Sequence, residues 1–358
     1  MSVVQTVTGP CTADDLGVTQ MHEHLISDFT MYLPPEGEAD PFCHQSVCIG
    51  NLYEMKTRLM NVEVLSVNDR DTAVHEVAGF ALAGGRTVVD ATSIGIGRNP
   101  QALRAVSEAT GVNVVMGSGW YVVESMNAGF AERSVESLAE EIVADLLEGV
   151  GDSGVRAGMI GEVGLSWPHH PLEERSLQAA CIAQQRTGVA LQIHPGRHPE
   201  SPFLAMEAVR RFGADPTRTI ICHVERTLTG IDEMLALAAT GCMLEFDLFG
   251  QESSYYFVPS FTGMPNDAGR VRFLDALISA GHADQLLVSQ DICTCVHLTR
   301  YGGEGLHHLL HRAVPLMRRM GMSDDDVRRL LVCNPARVLT GAEPSAPAGP
   351  PPSLWSPS

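Results

Sequence analysis

Lysine is almost missing from this chain. Of 24 basic residues only Lys56 is a lysine, and 43 acidic residues give a formal charge of −19 over 358 residues. Such a surface repels phosphate backbones and anionic lipid, so neither nucleic acid nor a membrane surface is expected as a partner. No apolar run approaches the ~20 residues of a membrane span. The first residues, "MSVVQTVTGPC", lack a charged region followed by an apolar core, and a cytosolic (cytoplasmic) protein is expected. Cys-x-x-Cys is absent. The nine cysteines are scattered and odd in number, as reduced core thiols would be, and Cys43 with Cys48, or Cys293 with Cys295, are the pairs to weigh as metal ligands. There is no Gly-x-Ser-x-Gly elbow, so a serine hydrolase has no nucleophile here. A P-loop is excluded because Lys56 follows Met55, and Gly95-x-Gly97 has no third glycine in register.

Eight short apolar or β-branched runs are present instead: residues 17–22, 86–92, 112–119, 157–164, 189–194, 218–223, 242–247 and 285–291. Segments with helical spacing, such as "SVESLAEEIVADLLEGV", alternate with them. Strands this continuously apolar belong in a parallel sheet covered by helices on both faces. Their number predicts an α/β fold, a (β/α)8 TIM barrel, with a short N-terminal β-hairpin in the first sixteen residues. Residues 1–340 form one barrel domain on this reading, and the Pro/Ser-rich 341–358 a disordered tail. Residues 28–70 make a long excursion after the first barrel strand, expected as a lid or rim. Residues 323–339 read as a final helix capped by Ser323.

Barrel enzymes build their sites at the C-terminal strand ends. The polar residues there are His22 and His24, Glu162, His194, His223 and Asp291. Residues i and i+2 of a strand point the same way, so His22-x-His24 is a two-pronged clamp, whereas Glu23 between them faces away. A lone pair of this kind is as well explained by structure as by a metal. Six donors from five strands are too many for one tetrahedral ion and suit two divalent metals roughly 3.5–4 Å apart, with Glu162 as the natural carboxylate bridge. Zinc is the first expectation, with manganese, cobalt or iron as alternatives. His169 and His170, on a loop, and His307, His308 and His311, on a helix, read as surface or packing residues.

The motifs "MHEHL", "IHPGR", "CHVER", "SQDI" and "NPARVL", in this order and with Glu162 at the bridging position, resemble the phosphotriesterase family of the amidohydrolase superfamily over residues 3–340. "IGEVGLSWP", "LEFDLFG" and "RYGGEG" are similar to its phosphotriesterase-related branch. The resemblance implies that His22, His24 and Asp291 hold one metal, His194 and His223 the other, and that the strand-four residue bridges them. The best-known members bridge with a carboxylated lysine. This chain departs from them with Glu162, which makes paraoxon-type hydrolysis a poorer expectation.

A bridging hydroxide attacking a carbonyl or phosphoryl centre is the implied chemistry. Asp291 is expected either as ligand alone or also as the group that passes the proton to the leaving group. Tyr121 either points its hydroxyl at the metals or is a plain rim aromatic. Arg197 and Arg226 on the mouth loops either clamp an anionic substrate or pair with Glu225 or Asp247. The branch implies a small anionic amide as substrate, and so a metal-dependent amidohydrolase acting on N-acetyltaurine or related N-acyl amino acids. The alternatives are a lactonase or phosphotriesterase, and a non-catalytic metal- or ligand-binding barrel. A homodimer is left open.

Overall fold

The computed structural model describes residues 3–33, 40–252 and 263–345. Strands β1 (Val3–Thr6) and β2 (Gly9–Thr12) form the expected antiparallel hairpin, with Val3 opposite Thr12. Then come β3 (Thr19–Glu23), the excursion with its short antiparallel pair β4 (Ser27–Asp28) and β5 (Ser66–Val67), and β6 (Thr87–Asp90). β7 (Asn113–Ser118), β8 (Met159–Gly164), β9 (Leu191–His194), β10 (Thr219–Ile221), β11 (Met243–Phe246) and β12 (Leu286–Val288) follow with helices between them. Seven of the eight expected runs contain one strand each and the eighth, 17–22, holds all of β3 but Glu23; the strands pair in parallel in the order β12-β11-β10-β9-β8-β7-β6-β3.

The ring closes at β12 and β3 through side chains as much as backbone. Ser289 Oγ accepts from the His22 amide at 2.9 Å and lies 2.9 Å from the His22 carbonyl oxygen, and the Asp291 amide donates to that carbonyl at 3.1 Å. Glu23 reinforces this seam by accepting from Ser289 Oγ and the amides of Gln290 and Ile292 at 2.8–3.0 Å. It faces away from the donor set, as alternation requires, and ties down the Asp291 loop.

Met21, Val89, Val115, Met159, Ile220, Met243 and Leu287 pack with Val4, Cys11 and Leu16 of the N-terminal segment and with Val338 and Leu339. The hairpin and the last helix therefore plug the bottom of the barrel with apolar side chains, leaving polar chemistry to the top. The last helix starts where expected, the Asp326 amide bonding Ser323 Oγ at 3.1 Å. It is not uniformly α: a π-turn at Arg329–Cys333 precedes Asn334–Thr340. Pro335 explains this, because it lacks an N–H and its ring clashes with the carbonyl four residues earlier, which a wider turn relieves. Ser345 bonds back to Asp14 through its amide and hydroxyl. The rest of the expected tail, 346–358, lies outside the described residues, as do 34–39 of the excursion.

The excursion comes back over the mouth. Phe29 and Leu65 pack with Ile96, Tyr121 and Val122, and Phe29 donates its amide to the Leu65 carbonyl at 2.8 Å. A larger groove of about 360 Å3, lined by Glu63, Asp69, Cys295 and Tyr301 among others, lies between the excursion and the segment after β12, away from the strand-end donors.

Candidate metal centre

His22, within β3, and His24, just beyond it, place their Nε2 atoms together because alternate residues share a face. Glu162 comes from β8, where the register shifts beside it. Gly161 permits that shift: at φ +125° a Cβ would sit 2.4 Å from the Gln192 carbonyl oxygen. His194 ends β9. His223 and Asp291 lie past the ends of β10 and β12, at φ +53° and +49°, and with Leu59 they are the non-glycine residues at positive φ among those described. The expected strands at 218–223 and 285–291 are shorter for this reason, since the chain must leave the ladder to turn these two side chains inward. Backbone strain of this kind concentrates at functional sites.

Glu162 is the hub. Its carboxylate lies 2.9 Å from His194 Nδ1, 3.3 Å from His24 Nε2, 3.6 Å from His223 Nε2 and 3.7 Å from His22 Nε2. Asp291 Oδ1 lies 3.3 Å from His24 Nε2 and 3.7 Å from His22 Nε2. All six groups are buried except Asp291, whose side chain is 14% exposed toward the cavity. His22 Nε2 and His24 Nε2 make no hydrogen bond within the described residues, although buried nitrogens without partners are costly. Each can be satisfied by a cation between them and the carboxylates. Imidazole nitrogen and carboxylate oxygen suit divalent first-row ions. Three ligand groupings form among the described residues, His22 with His24 and Asp291, Glu162 with His194 and His223, and His22 with Cys222, His223 and Asp247; the first two share no residue and together fit two ions.

Electrostatics point the same way. Burial disfavours charge on His24, yet Asp291 and Glu162 outweigh it and lift its pKa from 6.5 to about 9. For His223 burial is again outweighed, chiefly by Asp247, and its pKa also reaches about 9. Burial would raise Glu162, but His194 and His22 hold it well below its ordinary range, and Asp291 falls to about 2 as His24 and His223 overcome burial. The cluster thus holds ionised carboxylates against protons that a metal ion would displace.

Supports surround the set. His24 Nδ1 meets Thr92 Oγ1 at 2.9 Å, and Asp90 anchors the loop through the Leu25 amide at 2.8 Å. Asp247 meets His223 Nδ1 at 2.8 Å. Glu245, Asp247 and Cys222 close on the other side of His22, and the sequence reading gave none of the three a part in the centre. The signal for the two acids was present in "CMLEFD", where carboxylates two residues apart interrupt an otherwise apolar strand.

Tyr121 Oη lies 3.2 Å from His194 Nε2 and 3.3 Å from its Nδ1, and Tyr32 Oη donates to it at 3.1 Å, so it sits over the centre and not out on the rim. Arg226 is buried; its Nη2 donates to the Pro195 carbonyl at 2.9 Å and lies 3.4 Å from His194 Nε2. Glu225 is taken up by Arg270 at 3.2 Å and the Leu248 amide at 3.0 Å. Arg197 and Arg226 line one cavity with Phe29, Tyr32, Leu65, Tyr121, Glu162, His194 and Asp291. His169 bonds Ser201 at 2.8 Å, His170 caps the helix Pro171–Thr187, and His308 pairs with Asp267 at 2.7 Å. The nine cysteines are free thiols, and Cys43, Cys48, Cys293 and Cys295 join none of the ligand groupings found among the described residues. No helix among those residues is long and apolar enough to cross a membrane.

The model of the phosphotriesterase family matches residues 2–339. A protein named N-acetyltaurine hydrolase from Dictyostelium discoideum is 37% identical over 94% of this chain and 97% of its own, and the Homo sapiens protein of the same name is 35% identical with the same coverage. Among solved structures, a resiniferatoxin-binding protein from Rhodobacter sphaeroides superposes with a TM-score of 0.90 at 37% identity, covering 95% of each chain. A phosphotriesterase homology protein from Escherichia coli, with phosphate in its active site, gives 0.75 at 27% identity, covering 90% of this chain and 99% of that one.

Proposed function

The chain belongs to the phosphotriesterase family, and from that membership we propose that it is a binuclear-metal hydrolase cleaving the amide of N-acetyltaurine or of closely related small N-acyl aminosulfonates and amino acids. The observation that carries this reading is the convergence of four histidines on the single buried carboxylate of Glu162, with Asp291 beside His22 and His24, at a cavity that Arg197 and Arg226 also line.

His22, His24 and Asp291 would hold one ion and His194 and His223 the other, with Glu162 shared. Bound there, divalent ions, zinc first and manganese, cobalt or iron as alternatives, supply Lewis acidity and lower the pKa of water. Asp291, open to the cavity and kept ionised, accepts the proton of the attacking water and returns it to the departing amine. Burial and the neighbouring Tyr32 and Glu162 raise the Tyr121 phenol well above 10, so it stays a donor for the substrate carbonyl oxygen as negative charge develops there. One of the two arginines takes the sulfonate or carboxylate. Phe29, Tyr32 and Leu65 wall off the acyl side and exclude water.

A lactonase reading has its own support: a PTE-like lactonase from Deinococcus radiodurans, solved as a mutant, superposes with a TM-score of 0.73 at 28% identity. A turnover screen of the zinc- or manganese-loaded chain against N-acetyltaurine, N-acetyl amino acids, lactones and paraoxon separates the readings. Turnover of N-acetyltaurine is expected. Failure on every N-acyl substrate with success on a lactone would overturn the proposal, and two bound ions with no turnover of anything would mark a binding protein.

A further inference from the structure

Asp247 lies one residue beyond β11, fully buried, on the inward face that Met243 begins at the barrel plug and Glu245 continues. Its carboxylate touches both halves of the centre. Oδ1 is 2.8 Å from His223 Nδ1, both oxygens accept the His223 backbone amide at 3.0–3.1 Å, and Oδ2 lies 3.4 Å from His22 Nδ1. His223 turns its Nε2 toward His194 and Glu162, and His22 turns its Nε2 toward Glu162 and Asp291. A neutral imidazole that ligates through Nε2 carries its proton on Nδ1, and that proton needs an acceptor to fix the ring. Here His223 Nδ1 is bonded to Asp247, and His22 Nδ1, which makes no hydrogen bond among the described residues, has the same carboxylate at 3.4 Å, closer than Glu245 at 3.5 Å. The amide contact also secures His223 at its positive φ.

Building on the two-metal reading, we infer that Asp247 is a positioning residue shared by both halves of the centre, one carboxylate fixing the tautomer and direction of His22 and His223 together. Glu245 has a narrower part. Its Oε2 lies 3.5 Å from His22 Nδ1 while accepting from Gln192 Nε2 at 2.7 Å, so it supports the His22 side.

Calorimetric titration of the metal-stripped full-length chain with Zn2+, with far-UV circular dichroism and melting of the stripped protein, tests this. Wild type should bind two ions. In Asp247→Asn the single amide oxygen can serve one histidine, and the amide N–H then faces the Nδ1–H of the other. Asp247→Asn should therefore weaken one binding step by about 10- to 100-fold, and Asp247→Ala, which leaves neither histidine this acceptor, should weaken both; the stripped variants should keep the wild-type far-UV spectrum and melt at a lower temperature at neutral pH, because the partner of the charged His223 is gone. Glu245→Gln should weaken one step only. Wild-type affinity at both steps in the Asp247 variants, or loss at one step alone in Asp247→Ala, overturns the inference. So do stripped variants that no longer fold, which would assign Asp247 to the fold. A wild-type chain that binds no ion refutes the metal centre itself, a distinct result.

Discussion

Glu162→Gln removes the one group that approaches all four histidines, at 2.9–3.7 Å, while keeping its volume. In the metal-free protein this carboxylate is balanced by protonated imidazoles. Each divalent ion brings one more positive charge than the proton it displaces. Unit charges about 3.5 Å apart interact by about 5 kcal/mol at an effective dielectric of about 20, worth three to four decades of affinity at about 1.4 kcal/mol per decade. The glutamine oxygen remains a ligand and recovers part of that. The expected loss is therefore about 100- to 1000-fold in affinity for at least the tighter ion, with amide turnover falling in step. Titration of the stripped variant against a chromophoric chelator reads the affinity, and its melting curve shows whether the fold persists. Two ions held at wild-type affinity would refute the assignment of Glu162 as the bridge.

The anion clamp predicts that Arg226→Ala or Arg197→Ala raises KM for N-acetyltaurine about tenfold or more, as loss of a charged hydrogen bond implies, and barely moves it for an uncharged N-acetyl amine. KM unchanged in both variants would dismiss the clamp. A pH dependence follows from His24 and His223, whose pKa values near 9 stand above the ordinary 6.5. A raised histidine pKa stabilises the fold below pH 6.5, and that contribution is lost as pH climbs to 9. The melting temperature of the stripped protein should fall across that window. The gain on adding zinc should grow across it, because the ligands then arrive without protons. Scans with and without zinc check both, and a flat response in both would contradict the coupling of ligands to protons.

The eight strands could be read from the chain because apolar runs bounded by helical spacing are local properties. The donor set followed from them, since a parallel barrel brings every strand's C-terminal end to one mouth. His22, His24, Glu162 and His194 lie on or directly beside strands, where alternation or strand end locates them. His223 and Asp291 were found at the right strand ends, but their positive-φ turns were not foreseen, because such turns depend on what the side chain must meet.

What the sequence determined by itself is therefore the barrel, the mouth and the six side chains facing it. The tertiary structure decided what holds them. Asp247 is 225 residues from His22 and 24 from His223 in sequence, and only the inward phase of β11 beside β10, with the ring closed from β12 to β3, brings all three together. Phe29 and Leu65 wall the cavity only because β4 and β5 pair across the detour of residues 29–65. Periodicity along a strand is written in consecutive residues. Contacts across the barrel depend on register and closure, which no single segment carries.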